Sequence, residues 1–380
     1  MTRRESAHTR EAARRARRIV VKVGSSILTD AGVLRARVFT QLARQVAELM
    51  EEGREVVVVS SGAIAIGSRA LGWTQPGHSM PEKQAAAALG QIGLVEFYQR
   101  RFARHRKRVA QILVTRTDLE DRERFLNARH TLLTLLRLGV VPIVNENDTV
   151  ATEEIRFGDN DNLSATIVNL VAADLLVLLT DVEGLYASPP VEGEPLPPLF
   201  DVVEAITPEI ERAAQGSEHT FGRGGMTTKL EAAKSAARSG AATIVCNGRG
   251  REALVQAARG ERVGTLFCAG EKLRSRKHWL AFTTTLRGAL VVDDGAARAL
   301  VERGRSLLPA GIVAVEGDFG IGDVVACVDR QGRELARGLA GYAAQDVVRI
   351  KGLSTRQIAA VLGYSNGDEV IHRDDLVLTS

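Results

Sequence analysis

Val56-Val57-Val58-Val59 is a run of four β-branched residues with no polar break, preceded by a helical stretch that ends at Gly53 and followed by Ser60-Ser61-Gly62. A strand that alternates apolar and polar residues can leave one face in water. This run cannot, so both of its faces have to be covered. Other mainly apolar runs of strand length stand at Ile19-Val-Val-Lys-Val23, Val109 to Val114, Val140 to Val144, Leu175 to Leu179 and Ala242 to Cys246. Between these runs lie stretches of helical apolar spacing, among them Leu34 to Met50, Glu82 to about Arg106 and Arg122 to Leu138. Six or more buried strands alternating with helices predict an α/β unit built on a largely parallel sheet with helices on both faces.

At 380 residues the chain exceeds what one compact core usually holds, so two domains are expected. The character changes near residue 270. From Gly288 onward, short apolar runs alternate with Gly-rich turns such as Val315-Glu-Gly-Asp-Phe-Gly-Ile-Gly-Asp323, which predicts a small, separate β-rich domain. The expected boundaries are a basic, solvated and disordered arm over 1–17, an α/β domain over 18–270, a linker over 271–284 and the β-rich domain over 285–380. The net charge is only +4, with the basic excess gathered in the arm, so neither a nucleic-acid nor a membrane anchor is implied. No stretch approaches a membrane span, no secretory cleavage pattern follows Ile19, and the three cysteines stand far apart without a CxxC pair. A cytoplasmic protein with buried thiols is expected.

Chemistry is concentrated where apolar runs end. The run Val140 to Val144 delivers Asn145-Glu-Asn-Asp148, and Gly158-Asp-Asn-Asp-Asn162 follows, so four Asn and three Asp stand in two short blocks. Open α/β sheets bind ligands at the carboxyl ends of their strands. Carboxylates beside carboxamides can hold an ammonium and a carboxylate together, which points to a free amino acid, although a pair of Asx turns would look similar. Ser60-Ser61-Gly62-Ala63 opens a helix and offers backbone N-H groups to an anion, unless Ser61 is a plain N-cap. Gly222-Arg-Gly-Gly-Met-Thr-Thr-Lys229 also runs into a helix, and its glycines allow close backbone approach to a phosphate.

Of the 50 cationic residues only eight are Lys, so Lys22 beside Gly24 and Lys229 in the glycine loop suggest a need for a compact ammonium. Phosphoryl transfer has that need, because it depends on neutralising charge in flight rather than on covalent help. There is no GxxxxGK[ST], no GxGxxG after a strand and no HRD or DFG set, which removes the commoner nucleotide-binding signatures.

Seven blocks carry a resemblance: Val20-Val-Lys22-Val-Gly-Ser, Ser60-Ser-Gly-Ala-Ile-Ala65, Asp121-Arg-Glu-Arg-Phe-Leu-Asn-Ala-Arg129, Asn145-Glu-Asn-Asp148, Gly158-Asp-Asn-Asp-Asn162, Leu179-Thr-Asp181 and Gly224-Gly-Met226 with Lys229. In this order they resemble the glutamate 5-kinases of the amino acid kinase family, and the tail from about 285 resembles a PUA domain. The resemblance implies an αβα sandwich and ATP-dependent phosphorylation of the γ-carboxylate of L-glutamate, the first step of proline synthesis. It also implies Mg2+ accompanying the nucleotide, inhibition by proline and a homo-oligomer.

By the same resemblance, Lys22 and Lys229 neutralise the moving phosphoryl group and Asp161 orients them. Ser61, Asp148 and Asn160 hold glutamate. Lys22, Thr180 and Asp181, with Arg223, Gly224, Gly225, Met226, Thr227, Thr228 and Lys229, hold the nucleotide. Arg223 departs from the family, which usually has Thr there, and no protein ligand for the metal is assigned. Two rival readings stay open. One is a kinase of another acidic amino acid, aspartate or N-acetylglutamate. The other is an RNA-binding protein acting through the PUA-like domain with a vestigial kinase half, against which Gly288 to Ser380 has balanced charge and few aromatics; weak RNA binding by that domain is the most that is expected beside a kinase.

Overall fold

The computed structural model describes residues 10–30, 33–75, 77–150, 160–188, 190–191, 193–215, 225–269 and 286–379. The chain divides into two compact units, residues 1–272 and 273–380. The first is built on β1 (Arg18–Val23), β4 (Glu55–Ser60), β5 (Arg108–Val114), β6 (Val140–Glu146), β7 (Leu175–Thr180), β8 (Val202–Val203), β9 (Ala242–Asn247) and β10 (Thr265–Phe267). These form one sheet in the order β5-β6-β4-β1-β7-β9-β10-β8, while β2 (Thr29–Asp30) and β3 (Val33–Leu34) make a separate two-stranded ribbon. Neighbours pair in parallel throughout the sheet except β9 with β10. All six expected strands are present. β8 and β10 are additions of two and three residues, too short for a period to register in sequence.

Because side chains alternate along a strand, each strand feeds two separate cores. Ile19, Val21 and Val23, with Val56, Val58, Val141, Ile143, Leu175 and Val177, pack under the helices Ala36–Glu51 and Met80–Ala103. Val20, with Val57, Val59, Val144, Leu176 and Leu178, packs under Arg122–Arg137, Asn160–Val171 and Met226–Arg238. This is the doubly covered sheet that the unbroken valine run requires.

The solvated arm expected over residues 1–17 is not what the first described residues show. Residues 10–15 are helical. Arg10 is 2% exposed, and its guanidinium donates to the carbonyls of Glu261, Val263 and Gly264 and to both the carbonyl and carboxylate of Asp201. Five planar N-H donors can satisfy several carbonyls at once, so this arginine is a structural clamp within a segment that composition alone marks as solvated.

The second unit has its own sheet and core. β11 (Gly288–Val292), β12 (Ile312–Gly317), β13 (Val324–Val328), β14 (Glu334–Leu339) and β15 (Leu376–Leu378) run in the order β12-β11-β13-β14-β15. Leu290, Val292, Val325, Cys327, Val347 and Ile371 are among its fully buried residues. The expected linker over 271–284 lies outside the described residues. Among the described residues no helix is long and apolar enough to cross a membrane.

Candidate functional site

The register of the parallel strands determines which residues meet at the carboxyl edge of the sheet. Val23 pairs with Ser60 and Leu179, Val59 pairs with Val144, and Thr180 pairs with Asn247. Lys22, Ser60, Asn145, Thr180 and Asn247 therefore lie along one rim. From β1 the chain moves to β4 on one side, whereas from β7 it moves toward β9 on the other. Such a reversal opens a crevice above the strand ends.

Lys22 shares a sheet face with Val20, the face covered by the helices Asn160–Val171 and Met226–Arg238. Those helices bring Asp161 and Lys229 to it. Lys22 Nζ lies 2.6 Å from Asp161 Oδ1, and Lys229 Nζ lies 3.2 Å from Asp161 Oδ2. Thr228 Oγ1 donates to the same Oδ2 at 3.0 Å and to the carbonyl of Gly225. All three charged residues are buried. Burial alone would push the Asp161 carboxyl up, but the ammonium of Lys22, then that of Lys229, outweighs it and holds the group below the usual carboxylate range. Two ammonium groups share one carboxylate here, so these three charges sum to +1 in a low-dielectric setting that suits an incoming anion. No side chain caps the N-terminus of Met226–Arg238, where Gly225 stands at the N-cap. Its backbone N-H groups add to the same anion-binding character.

A second, uncharged cluster lies beside the first and comes mainly from the opposite face. Asn145 and Ser60 alternate with Val144 and Val59, so they face the core covered by Met80–Ala103. Asn160, the residue before Asp161, joins the two clusters. Its Nδ2 donates to the carbonyl of Ser60 at 2.6 Å, to Ser61 Oγ at 2.9 Å and to Asn145 Oδ1 at 3.0 Å. Ser61 is therefore not a plain N-cap. The N-cap of Ala63–Ala70 is Gly62, in the left-handed region at φ 101° without a side-chain cap, which leaves that helix start open to an anion as well. Asp148 is half-buried, forms no hydrogen bond or ion pair among the described residues, and has its carboxyl pushed up to about 6 by burial.

Thr180 is buried at the tip of β7 and donates to Asp181 Oδ1 at 3.2 Å, while the N-H of Gly248 donates to the Thr180 carbonyl. Gly225, Met226, Thr227 and Thr228 form the start of the helix that presents Lys229. Gly158, Asp159, Arg223 and Gly224 lie outside the described residues. Asn162 is exposed, and the Asn147 side-chain oxygen accepts from Thr149 Oγ1 within its own loop, so the two polar blocks contribute one carboxamide each to the cluster.

Gln91 and Tyr98 were not singled out from the sequence. Gln91 Oε1 accepts from Asn145 Nδ2 at 2.8 Å, and Tyr98 OH shares a 2.9 Å hydrogen bond with Ser60 Oγ. Gln91, Leu94, Tyr98 and Phe102 are the buried stripe of Met80–Ala103. A glutamine on a stripe spaced three and four residues apart is the sequence signal that could have identified it.

Comparison with known proteins agrees with this architecture. Residues 17–247 match the model of the amino acid kinase family, and residues 288–362 match the PUA domain. A protein named glutamate 5-kinase from Paraburkholderia phymatum is 51% identical over 364 residues, covering 95% of this chain and 98% of its own. Another of that name, from Citrifermentans bemidjiense, is 50% identical over 371 residues, covering 97% of this chain and 99% of its own. The chain belongs to the amino acid kinase family, in its glutamate 5-kinase branch, with a PUA domain behind the kinase unit.

Proposed function

We propose that the chain transfers the γ-phosphoryl group of ATP to the γ-carboxylate of L-glutamate, giving L-glutamyl 5-phosphate, the first step of proline biosynthesis. The observation that carries the reading is the adjacency of Asn160 and Asp161. One residue enters a neutral, carboxamide-lined cluster and the next bridges two buried lysines. That arrangement suits an amino acid on one side and a phosphoryl group on the other. The attacking carboxylate is already ionised near neutral pH, so no general base is required. Catalysis is positioning plus electrostatics: the lysines oppose charge on the phosphoryl group in flight, and Asp161 keeps both ammonium groups aimed at it.

In this reading Ser61, Asn160 and Asp148 hold glutamate, with the Asp148 carboxylate facing its ammonium. Lys22, Thr180, Asp181 and the segment from Arg223 to Lys229 hold the nucleotide. Among the described residues no group of three or more His, Cys, Asp or Glu side chains could hold a metal ion. Mg2+ enters this reading as the partner of the ATP phosphates, and no step is assigned to it. The reading extends to a cytoplasmic homo-oligomer whose glutamate pocket also accepts free proline, an inhibitor whose secondary ammonium and carboxylate use part of the same pocket. The test is ATP turnover with free L-glutamate as acceptor, trapped as the hydroxamate. ADP release that depends on L-glutamate is expected, and its absence overturns the reading.

A further inference from the structure

The hydrogen bonds around Asn160 have a fixed polarity. A backbone carbonyl can only accept, so the Asn160 atom against the carbonyl of Ser60 is Nδ2. A backbone N-H can only donate, so the Asn145 atom against the N-H of Glu146, at 2.9 Å, is Oδ1. These two anchors orient both carboxamides, with Asn160 Nδ2 donating to Asn145 Oδ1. Asn145 must then turn its own Nδ2 to Gln91, and Gln91 must answer with Oε1. The consequence falls on the far end of Gln91. Its Nε2 is buried without a hydrogen-bond partner among the described residues, in a residue only 8% exposed.

An amide donor buried without an acceptor works against folding, so this glutamine is not the residue that stability alone would select. The backbone around it is equally specific. Gly90 lies so close to the start of the helix Ala63–Ala70 that a Cβ there would stand 1.9 Å from the Ala63 carbonyl and 2.5 Å from the Gly67 nitrogen. Only glycine allows that approach, and the next residue, Gln91, is the one that meets Asn145.

We infer that Gln91 is a positioning residue that, by holding the donor end of Asn145, steadies the Asn160 carboxamide in the place and polarity its backbone anchors set, and so affects how Asn160 meets the substrate. With Nδ2 committed to protein acceptors, the end of the Asn160 carboxamide left for a ligand is Oδ1, an acceptor suited to the N-H groups of an amino acid's ammonium. Without the Gln91 acceptor, Asn145 is no longer held at its donor end and the orientation of Asn160 is less firmly set. The role is one of selecting an unmodified α-amino group, and it rests on the glutamate reading above.

The experiment compares wild type, Gln91→Met, Asn145→Ala and the double variant, measuring kcat, KM for L-glutamate, KM for ATP and thermal unfolding. For Gln91→Met the KM for L-glutamate is expected to rise about tenfold, the loss expected when a hydrogen-bond network to a charged group is loosened. KM for ATP and kcat should stay within about twofold, and Tm should change little, because the substitution removes one orphaned donor, Gln91 Nε2, and leaves another, Asn145 Nδ2. In the Asn145→Ala background the same substitution should add nothing to KM, since the effect passes through Asn145. An unchanged KM for L-glutamate, additive effects in the double variant, or a joint fall of kcat, ATP affinity and Tm each overturns the assignment. Gln91→Leu repeats the test should Met fill the site differently. Wild-type turnover of L-glutamate with an unaffected Gln91→Met would remove only this relay, whereas no wild-type turnover would remove the glutamate reading itself.

Discussion

Lys22 Nζ lies 2.6 Å from Asp161 Oδ1, which joins the first strand of the kinase unit to the first turn of the helix Asn160–Val171 inside a buried crevice. With Lys229 on the other carboxylate oxygen, Asp161 is what allows two ammonium groups to share one desolvated site. Asp161→Asn removes the carboxylate charge that both ammonium groups share, and breaking a buried pair in this way costs about 3–5 kcal/mol. The variant should lose stability and kcat together. The pH dependence follows from a carboxyl held below its usual range. The native state then favours the ionised form, so the stabilisation is present above the ordinary Asp pKa and disappears as pH falls below it toward the folded-state value. Thermal unfolding of both proteins from pH 3 to pH 8 should show a constant gap above about pH 4 that narrows below it. A gap independent of pH throughout would count against the ion pairs.

Lys22→Ala and Lys229→Ala should each lower kcat by the equivalent of roughly 2–4 kcal/mol, with a much smaller change in KM for L-glutamate. Lys→Arg should not restore the rate, because a planar fork cannot follow a moving phosphoryl group as a point charge can. Steady-state kinetics decides this. A variant that keeps near wild-type kcat removes that lysine from catalysis.

Asp148 titrates in the opposite sense from Asp161, since burial pushes its carboxyl up to about 6. The native state therefore binds its proton more tightly than the unfolded chain, and stability is lost as pH rises between the ordinary Asp value and about 6. Asp148→Asn should therefore raise Tm more at pH 8 than at pH 4, since the cost of the buried carboxylate is fully present only above about pH 6. For binding, only the ionised form attracts an ammonium. The kcat/KM for L-glutamate should fall as pH drops through about 6 in wild type, while Asp148→Asn should be low and flat across that range. Identical pH profiles for the two proteins would dissociate Asp148 from the substrate.

A chain ending at Lys272 should fold and keep its kinase activity, because the two compact units divide there and each has its own core. Every residue given a role precedes that point. Soluble expression, a single unfolding transition and turnover comparable to the full chain are expected. Loss of soluble protein would show that the kinase core depends on the tail.

Much of the fold was legible because an unbroken valine run leaves a strand no solvated face, and because Lys22 and Asn145 stand at the ends of such runs. Period 2 also explains why Lys22 meets Asp161 and Lys229 on one face while Asn145 meets Gln91 on the other. What composition obscured was Arg10. A guanidinium that satisfies backbone carbonyls has no partner visible in sequence, so an arginine-rich start reads as solvated until the loop around Gly264 is seen closing on it. The polarity of the Asn160 cluster was likewise beyond reach. It depends on which atoms face the Ser60 carbonyl and the Glu146 N-H, and a list of carboxamides does not contain that information. Of the two Asn-rich blocks, Asn145 and Asn160 converge whereas Asn147 and Asn162 do not, a distinction set by strand pleat and helix phase.

The most direct measurement is the ratio of kcat/KM for L-glutamate to that for N-acetylglutamate, with ATP saturating and acyl phosphate trapped as the hydroxamate. Acetylation removes the ammonium charge and leaves Asp148 and the Asn160 acceptor facing a neutral amide. The acetylated substrate should be poorer by at least about a hundredfold. Comparable turnover of the two would contradict the assignment of this pocket to a free amino group and move the chain toward phosphorylation of N-acetylglutamate.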